Sequence, residues 1–284
     1  MKLATFLIDG QPVAAVVLGN EIVPVPALFG GMPVDVAAIA AAGLDGELGR
    51  RLDGAARVPL AGLTFLPPVP RPGKIICVGI NYEDHRLEAK RDKSAYATLF
   101  PRFADSLIGH EGNILRPPES TMLDYEGEIA VVIGRPAYRV SASAALEHVF
   151  GYSCFNDASA RDWQRHTSQF MPGKNFMATG GFGPWLVTVD EAGDPAAMQL
   201  TTRLNGEVMQ QAMGSDMLFS IADVIAYAST FTVLNPGDVI VTGTPGGVGS
   251  ARDPKVFMKA GDIVEVEVSG VGVLRNVVAD GPAG

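Results

Sequence analysis

Two glutamates stand one residue apart in LDYEGEIAVVIG, residues 123–134, at the mouth of a run that otherwise reads as a buried strand. Side chains alternate faces along a strand, so Glu126 and Glu128 point the same way, with Ala130 and Val132 beyond them. Like charges at that spacing repel unless a cation or a proton sits between them. The pair reads either as a solvated strand end, the commoner case for acidic residues, or as half of a metal site. Asp157, which follows the apolar GYSCF stretch in SCFNDASARDWQ, stands at another strand end and supplies a third carboxylate. Its alternative role is an N-cap for the ASARDWQ segment. Three carboxylates suit a hard divalent cation such as Mg2+ or Mn2+, whereas Zn2+ recruits histidine or cysteine.

A second constellation lies in GINYEDHRLEAKRDK, residues 79–93. His85 and Glu88 are three apart and share a face if the segment is helical, so Glu88 would orient the imidazole as a general base. The competing reading is a charged surface helix, since seven of the ten residues from Asp84 to Lys93 are charged. Such a segment docks weakly, as a lid does. Lys174 follows a Pro-Gly turn in QFMPGKNF and would hold a substrate carboxylate or a developing enolate, or else snorkel. In DVIVTGTPGGVG, residues 238–249, backbone N–H groups with Thr244 could bind a carboxylate, or the stretch is a turn. It has neither the Gly-Lys-Ser/Thr of a P-loop nor the spacing of a dinucleotide fingerprint. No Gly-x-Ser-x-Gly elbow occurs, and His110, His148 and His166 have no metal-type spacing. The side chains of Phe170, Met171, Phe176 and Met177 read as core rather than as an apolar subsite.

The elements that must position these groups can be read coarsely. KLATFLI, PVAAVVL and EIVPV, separated by Asp9-Gly10 and Gly19-Asn20, form a hairpin or meander. Residues 34–53 read as one or two helices broken at Gly43 and Gly46. FLPPVPRPGK, residues 65–74, carries four prolines and marks the best domain boundary, giving a small N-terminal domain over 1–68 and a catalytic domain over 69–284. Beyond it KIICVGI, IAVVIG, DVIVTG and GDIVEVEVSG read as strands, 141–149 and 216–230 as helices, and Asn205-Gly206 as a hairpin turn. Many strands and few helices predict an α+β fold.

Bulk properties narrow the partners. Of 284 residues 47% are hydrophobic and 19% charged, which is the balance of a globular chain. The net charge of -9 disfavours nucleic acid and anionic membranes, which require clustered cations. Apolar runs are too short for a membrane span, and MKLATFLIDG lacks a signal-peptide pattern. Cys77 and Cys154 sit in apolar contexts that fit reduced thiols, so cytoplasm is the expected location. A small-molecule ligand is expected.

Taken in order, CVGINYEDHRLE, LDYEGEIAVVIG, GYSCFNDASARDWQ, PGKNF, LNGE and GDVIVTGTPGGVG resemble the fumarylacetoacetate hydrolase family over about residues 74–278. The first 70 residues look like the small α/β domain carried by many bacterial members. The resemblance implies a mixed β-sheet roll or sandwich and a homodimer. It implies Mg2+ or Mn2+ held by Glu126, Glu128 and Asp157, with a His85–Glu88 lid pair. Substrate contacts would come from Arg161, Gln164 and Lys174. Implied substrates are 2-oxo acids, acylpyruvates or other 1,3-dicarbonyl compounds. The leading expectation is metal-dependent hydrolysis of a carbon–carbon bond, with an oxaloacetate-type decarboxylase, a hydratase or an enol–keto isomerase as alternatives on the same site. A silent metal- and ligand-binding protein is the reading of a different class, and it has no need of an oriented base.

Overall fold

In the computed structural model, which describes residues 1–31 and 35–282, strand Gly127–Ile133 is buried along its whole length. Ile129, Val131 and Ile133 pack into one hydrophobic cluster, while Ala130 and Val132 pack into another on the opposite face. A strand covered on both faces needs a continuous apolar run, which is what IAVVI supplies. It lies between antiparallel neighbours Val149–Asp157 and Val239–Val241, and the latter pairs in parallel with Ile75–Gly79. These strands belong to a mixed 12-stranded sheet. Strand Lys2–Ile8 extends the sheet by setting Lys2 and Leu3 against Val187 and Leu186, and the N-terminal meander follows it.

A five-stranded sheet covers one face, built from Glu207–Met213, Gln199–Leu204, Ile263–Val268, Gly272–Asp280 and Asn113–Arg116. Its Leu200, Val266, Val268 and Leu274 meet Val131, Tyr152 and Val187 of the large sheet. The expected α+β sheet sandwich is therefore the fold. The hairpin at Asn205-Gly206 is present, with φ of 53° and 82° at the two turn residues, the left-handed pair that twists in the same sense as its strands.

Helix boundaries depart from the sequence reading where local hydrogen bonding decides them. The helix expected over 216–230 is Ile221–Phe231, because Ser220 and Asp223 form a reciprocal capping box and leave Met217 outside. The helix expected over 141–149 is only Ala142–Ala145 and a 3-10 turn, since Val149 already starts the long strand. Val34, the first residue of the helical stretch expected at 34–53, lies outside the described residues. Asp35 caps Val36–Ala42, and Gly43 ends it at φ 61°. Gly46, expected as a second break, lies within helix Asp45–Arg51.

Gly127 explains the spacing of the acidic pair. A Cβ at this position would lie 1.9 Å from Thr202 Oγ1 on the smaller sheet, so the residue between the glutamates has no room for a side chain. We expect Gly127→Ala to lower stability by about 1–3 kcal/mol through overpacking. Thermal unfolding of Gly127→Ala/Thr202→Ala should recover most of the loss; equal melting of wild type and Gly127→Ala would contradict the close approach.

Candidate active site

Strand register assembles the three acids. Gly127 pairs with Asn156, and Asp157 N donates to Glu126 O at 2.8 Å, which sets Asp157 directly across from Glu126. Glu128 lies one alternation further along the same face. Ligand oxygens of Glu126, Glu128 and Asp157 consequently lie within 4.8 Å of one another, and all three residues are buried. The N-cap alternative for Asp157 does not hold: Ala160 occupies that position before helix Arg161–Gln164, and it makes no side-chain cap.

Buried cations balance most of this charge. Lys174 Nζ bridges Glu126 and Asp157, and Arg161 reaches Asp124 at 2.8 Å and Glu126 at 2.6 Å. Arg102, fully enclosed, donates to Asp157 Oδ1 at 3.0 Å and Thr179 Oγ1 at 3.0 Å, and also to the Lys174 carbonyl. Among the described residues, the buried ion pairs of Asp124, Glu126 and Asp157 are made with Arg102, Arg161 and Lys174. Of the four acids, Glu128 is the one without an ion-pair partner among the described residues, and it accepts the Gly243 N–H.

The titration behaviour follows from this asymmetry. Burial pushes Glu126 upward, but the charges of Arg161 and Lys174 outweigh it and hold this carboxyl at about 2. Burial pushes Glu128 well above the carboxylate range, and the charges of Asp157 and Glu126 push it further. Burial works against the charge on Lys174, yet Asp157 and Glu126 raise it above its ordinary value. One surplus buried carboxylate beside two others, with carboxylate lone pairs to spare, fits a divalent cation.

His85 completes the site. It lies 7% exposed on helix Glu83–Glu88, with Nδ1 2.7 Å from Glu88 Oε1. An ionised carboxylate only accepts, so Nδ1 is the donor of this bond, and in the neutral imidazole the lone pair is then on Nε2. Glu88 Oε2 in turn accepts the Gly247 N–H at 2.8 Å, which anchors the charged segment expected to dock weakly.

These groups surround a cavity of about 550 Å3 whose walls include His85, Glu88, Glu126, Glu128, Arg161, Gln164, Lys174 and Thr244. Asp157 stands behind them, outside the lining. Arg161 gives Nη1 to Gln164 Oε1 at 3.0 Å, while its buried Nη2 has no partner among the described residues. Thr244 Oγ1 accepts from Gln210 Nε2 at 2.7 Å and donates to Gly127 O at 2.9 Å. The core reading of Phe170, Met171, Phe176 and Met177 is corrected for the methionines, which are 39% and 60% exposed; Phe170 packs against a core cluster and Phe100 while also lining the cavity, and Phe176 is half-buried against Trp163. The backbone packs there instead, because a Cβ on Gly173 would lie 2.4 Å from Gln164 N.

Sequence reasoning passed over Arg102, Asp124 and Gln210. Asp124 was the most accessible of them, since it precedes Glu126 by the same two-residue step. Arg102 and Gln210 carry no local signal, because their partners are at least 55 and 34 residues away.

The profile of the fumarylacetoacetate (FAA) hydrolase C-terminal family matches residues 74–279, and the chain belongs to that family. Its members among the relatives include enzymes. The mitochondrial oxaloacetate tautomerase FAHD2A of Bos taurus is 44% identical over 223 residues, covering 78% of this chain and 71% of the relative. A fumarylacetoacetate hydrolase of Exiguobacterium antarcticum superposes with a TM-score of 0.86 at 35% identity, over 99% of this chain and 100% of that one. A maleylpyruvate hydrolase of Sphingobium sp. SYK-6, solved in complex with manganese(II) and pyruvate, gives 0.84 at 30% identity with the same coverage.

The charge imbalance separates the two glutamates experimentally. Glu126→Gln should destabilise the metal-free protein by about 3–5 kcal/mol, because it strips two buried cations of a partner. Glu128→Gln should leave metal-free stability equal or higher while abolishing binding of Mn2+. Since Glu128 must lose a proton to ligate, wild-type affinity for Mn2+ should weaken as pH falls below its raised pKa, toward about tenfold per pH unit. Calorimetry across pH and thermal unfolding check both; a flat affinity profile would remove Glu128 from the ligand set.

Proposed function

We propose that this chain is an enzyme dependent on Mg2+ or Mn2+ that moves a proton at the carbon beside the carbonyl of a 2-oxo acid, with keto–enol tautomerisation as the reaction. The observation that carries this reading is the His85–Glu88 pair, bonded at 2.7 Å and set in the wall of the cavity that also holds the carboxylates. The 44% identity to an oxaloacetate tautomerase supports the reaction type.

Glu126, Glu128 and Asp157 would hold the cation, which supplies chelation of the two substrate oxygens and withdrawal of electrons from the carbonyl. His85 Nε2 accepts the proton from the carbon, and the electron pair of that bond becomes the enolate double bond. Glu88 stabilises the imidazolium and keeps its orientation. Return of the proton to oxygen completes the enol, and the reverse order gives the ketone. The Arg161 Nη2 donor and Lys174 stabilise negative charge on the ligand, and Gln164 and Thr244 position it.

Carbon–carbon hydrolysis of an acylpyruvate is the second reading, supported by the likeness to the maleylpyruvate hydrolase. In that reaction His85 would take its proton from a water that attacks the distal carbonyl. A division at residue 68, a homodimer and a cytoplasmic location belong to this proposal. The first rests on the site residues all lying between 85 and 244, the second on the family resemblance, and the third on two buried free cysteines. Among the described residues, no helix is long and apolar enough to cross a membrane.

With Mg2+ or Mn2+ added, loss of enol absorbance from oxaloacetate should accelerate, and His85→Ala should slow it by about a hundredfold to ten-thousandfold without weakening the metal. Acylpyruvate cleavage in the same assay would favour the second reading. Metal-loaded protein that binds oxalate and turns over neither substrate would establish the silent binder instead.

A further inference from the structure

Of the buried cations around the acids, Arg161 and Lys174 line the cavity and Arg102 does not. The Arg102 side chain is fully enclosed, and its backbone N–H donates to Ile75 O at 3.1 Å just past strand Thr98–Pro101. Oxygens surround the guanidinium, as they would a metal ion. Nη1 donates to Asp157 Oδ1 at 3.0 Å and to the Lys174 carbonyl, and Nη2 to Thr179 Oγ1 at 3.0 Å and Ala158 O at 3.2 Å. Such a planar fork holds its acceptors in fixed relative positions, which a point charge does not.

The fork divides the carboxylate of Asp157. Oδ1 is held by Arg102 from outside the cavity, whereas Oδ2 meets Lys174, a residue of the cavity wall. A carboxylate fixed in this way presents one oxygen and cannot turn to chelate through both. The same guanidinium occupies two carbonyls and a hydroxyl beside Asp157 that would otherwise be hard oxygen donors. Ca2+ takes about six to eight oxygens in flexible geometry, with carboxylates binding through one oxygen or two. Mg2+ is smaller and demands a near-octahedral set, so a ligand pinned to one oxygen suits it better.

We propose that Arg102 is a positioning residue that holds Asp157 to ligation through one oxygen and so biases the acid site toward the small, six-coordinate Mg2+ or Mn2+ and against Ca2+. This rests on the reading of Glu126, Glu128 and Asp157 as a cation site and adds what sets its choice of ion. Arg102 touches neither ligand nor cavity, and acts through Asp157 alone.

Calorimetric titration of the metal-free protein with Mg2+ and with Ca2+ tests this without requiring turnover. Arg102→Met should weaken Mg2+ by about tenfold to hundredfold, the range for groups that orient a metal ligand. Ca2+ should stay within about threefold, because a released Asp157 can meet the larger ion through both oxygens. Loss of a buried cation also destabilises that variant, so Gly180→Ala provides a second route. A Cβ on Gly180 would lie 2.6 Å from Arg102 Nε, which pushes the guanidinium off Asp157 with no change of charge. Gly180→Ala should lower the Mg2+ to Ca2+ affinity ratio by about threefold or more. Arg102→Lys keeps the charge without the fork, and its ratio should fall between those of wild type and Arg102→Met. Equal losses for the two ions, or a ratio that none of these variants moves, would overturn the inference and leave Arg102 a structural residue. Wild-type Mg2+ affinity that Glu128→Gln leaves unchanged would remove the acid site itself, and this inference with it. A ratio that depends on Arg102 in a protein without turnover would sink the reaction proposed above and leave this inference standing.

Discussion

Four buried carboxylates meet three buried cations at one end of the large sheet, and the fold around them is organised by that imbalance. Burying a charge is tolerable only where partners replace the lost water. Arg102, Arg161 and Lys174 replace it for Asp124, Glu126 and Asp157, whereas Glu128 receives a backbone N–H and, among the described residues, no ion-pair partner. The protein therefore keeps one carboxylate short of charge compensation in a triangle of three. A proton can fill that deficit, and on the proposed reading a divalent cation would fill it instead.

Positioning falls largely to backbone. Between Val241 and Ala251 the chain passes three acids in succession: Gly243 N–H to Glu128, Gly247 N–H to Glu88, and the Gly249 and Ser250 N–H groups to Asp124. One loop thus orients a candidate metal ligand, the carboxylate behind the base and the carboxylate behind Arg161. Close approach requires glycine at Gly243 and Gly247, with φ of 97° and 101°; a Cβ on Gly247 would lie 2.2 Å from Met209 O. Cradles of N–H groups are familiar as anion sites for ligands. Here they bind the protein's own anions.

How much of this was legible in the chain depended on the range of the interaction. Alternation put Glu126 and Glu128 on one face, and helical spacing put His85 beside Glu88, because both patterns are local and periodic. The apolar run IAVVI announced a doubly covered strand for the same reason. Asp157 joined the set through register with a strand some 30 residues away; its place at the end of the GYSCF run suggested it, but not which strand it would face. Arg102 and Gln210 were invisible, since a buried polar residue declares itself only through partners brought by topology. Helix Ile221–Phe231 was misplaced at its start because apolar spacing continues through Met217, while the Ser220–Asp223 cap decides where the helix begins. Met171 and Met177 were assigned inward on hydrophobicity, yet a glycine turn packed there and left them outside.

The central claim is that the carboxylate triangle is a cation site facing His85, and diffraction from crystals equilibrated with Mn2+ and oxalate tests it directly. Anomalous scattering at the manganese edge should show one strong peak per chain, ligated by Glu126, Glu128 and Asp157, with oxalate on its open side toward His85. Absence of a peak there, with Lys174 still bridging Glu126 and Asp157 and manganese bound elsewhere, would contradict the account.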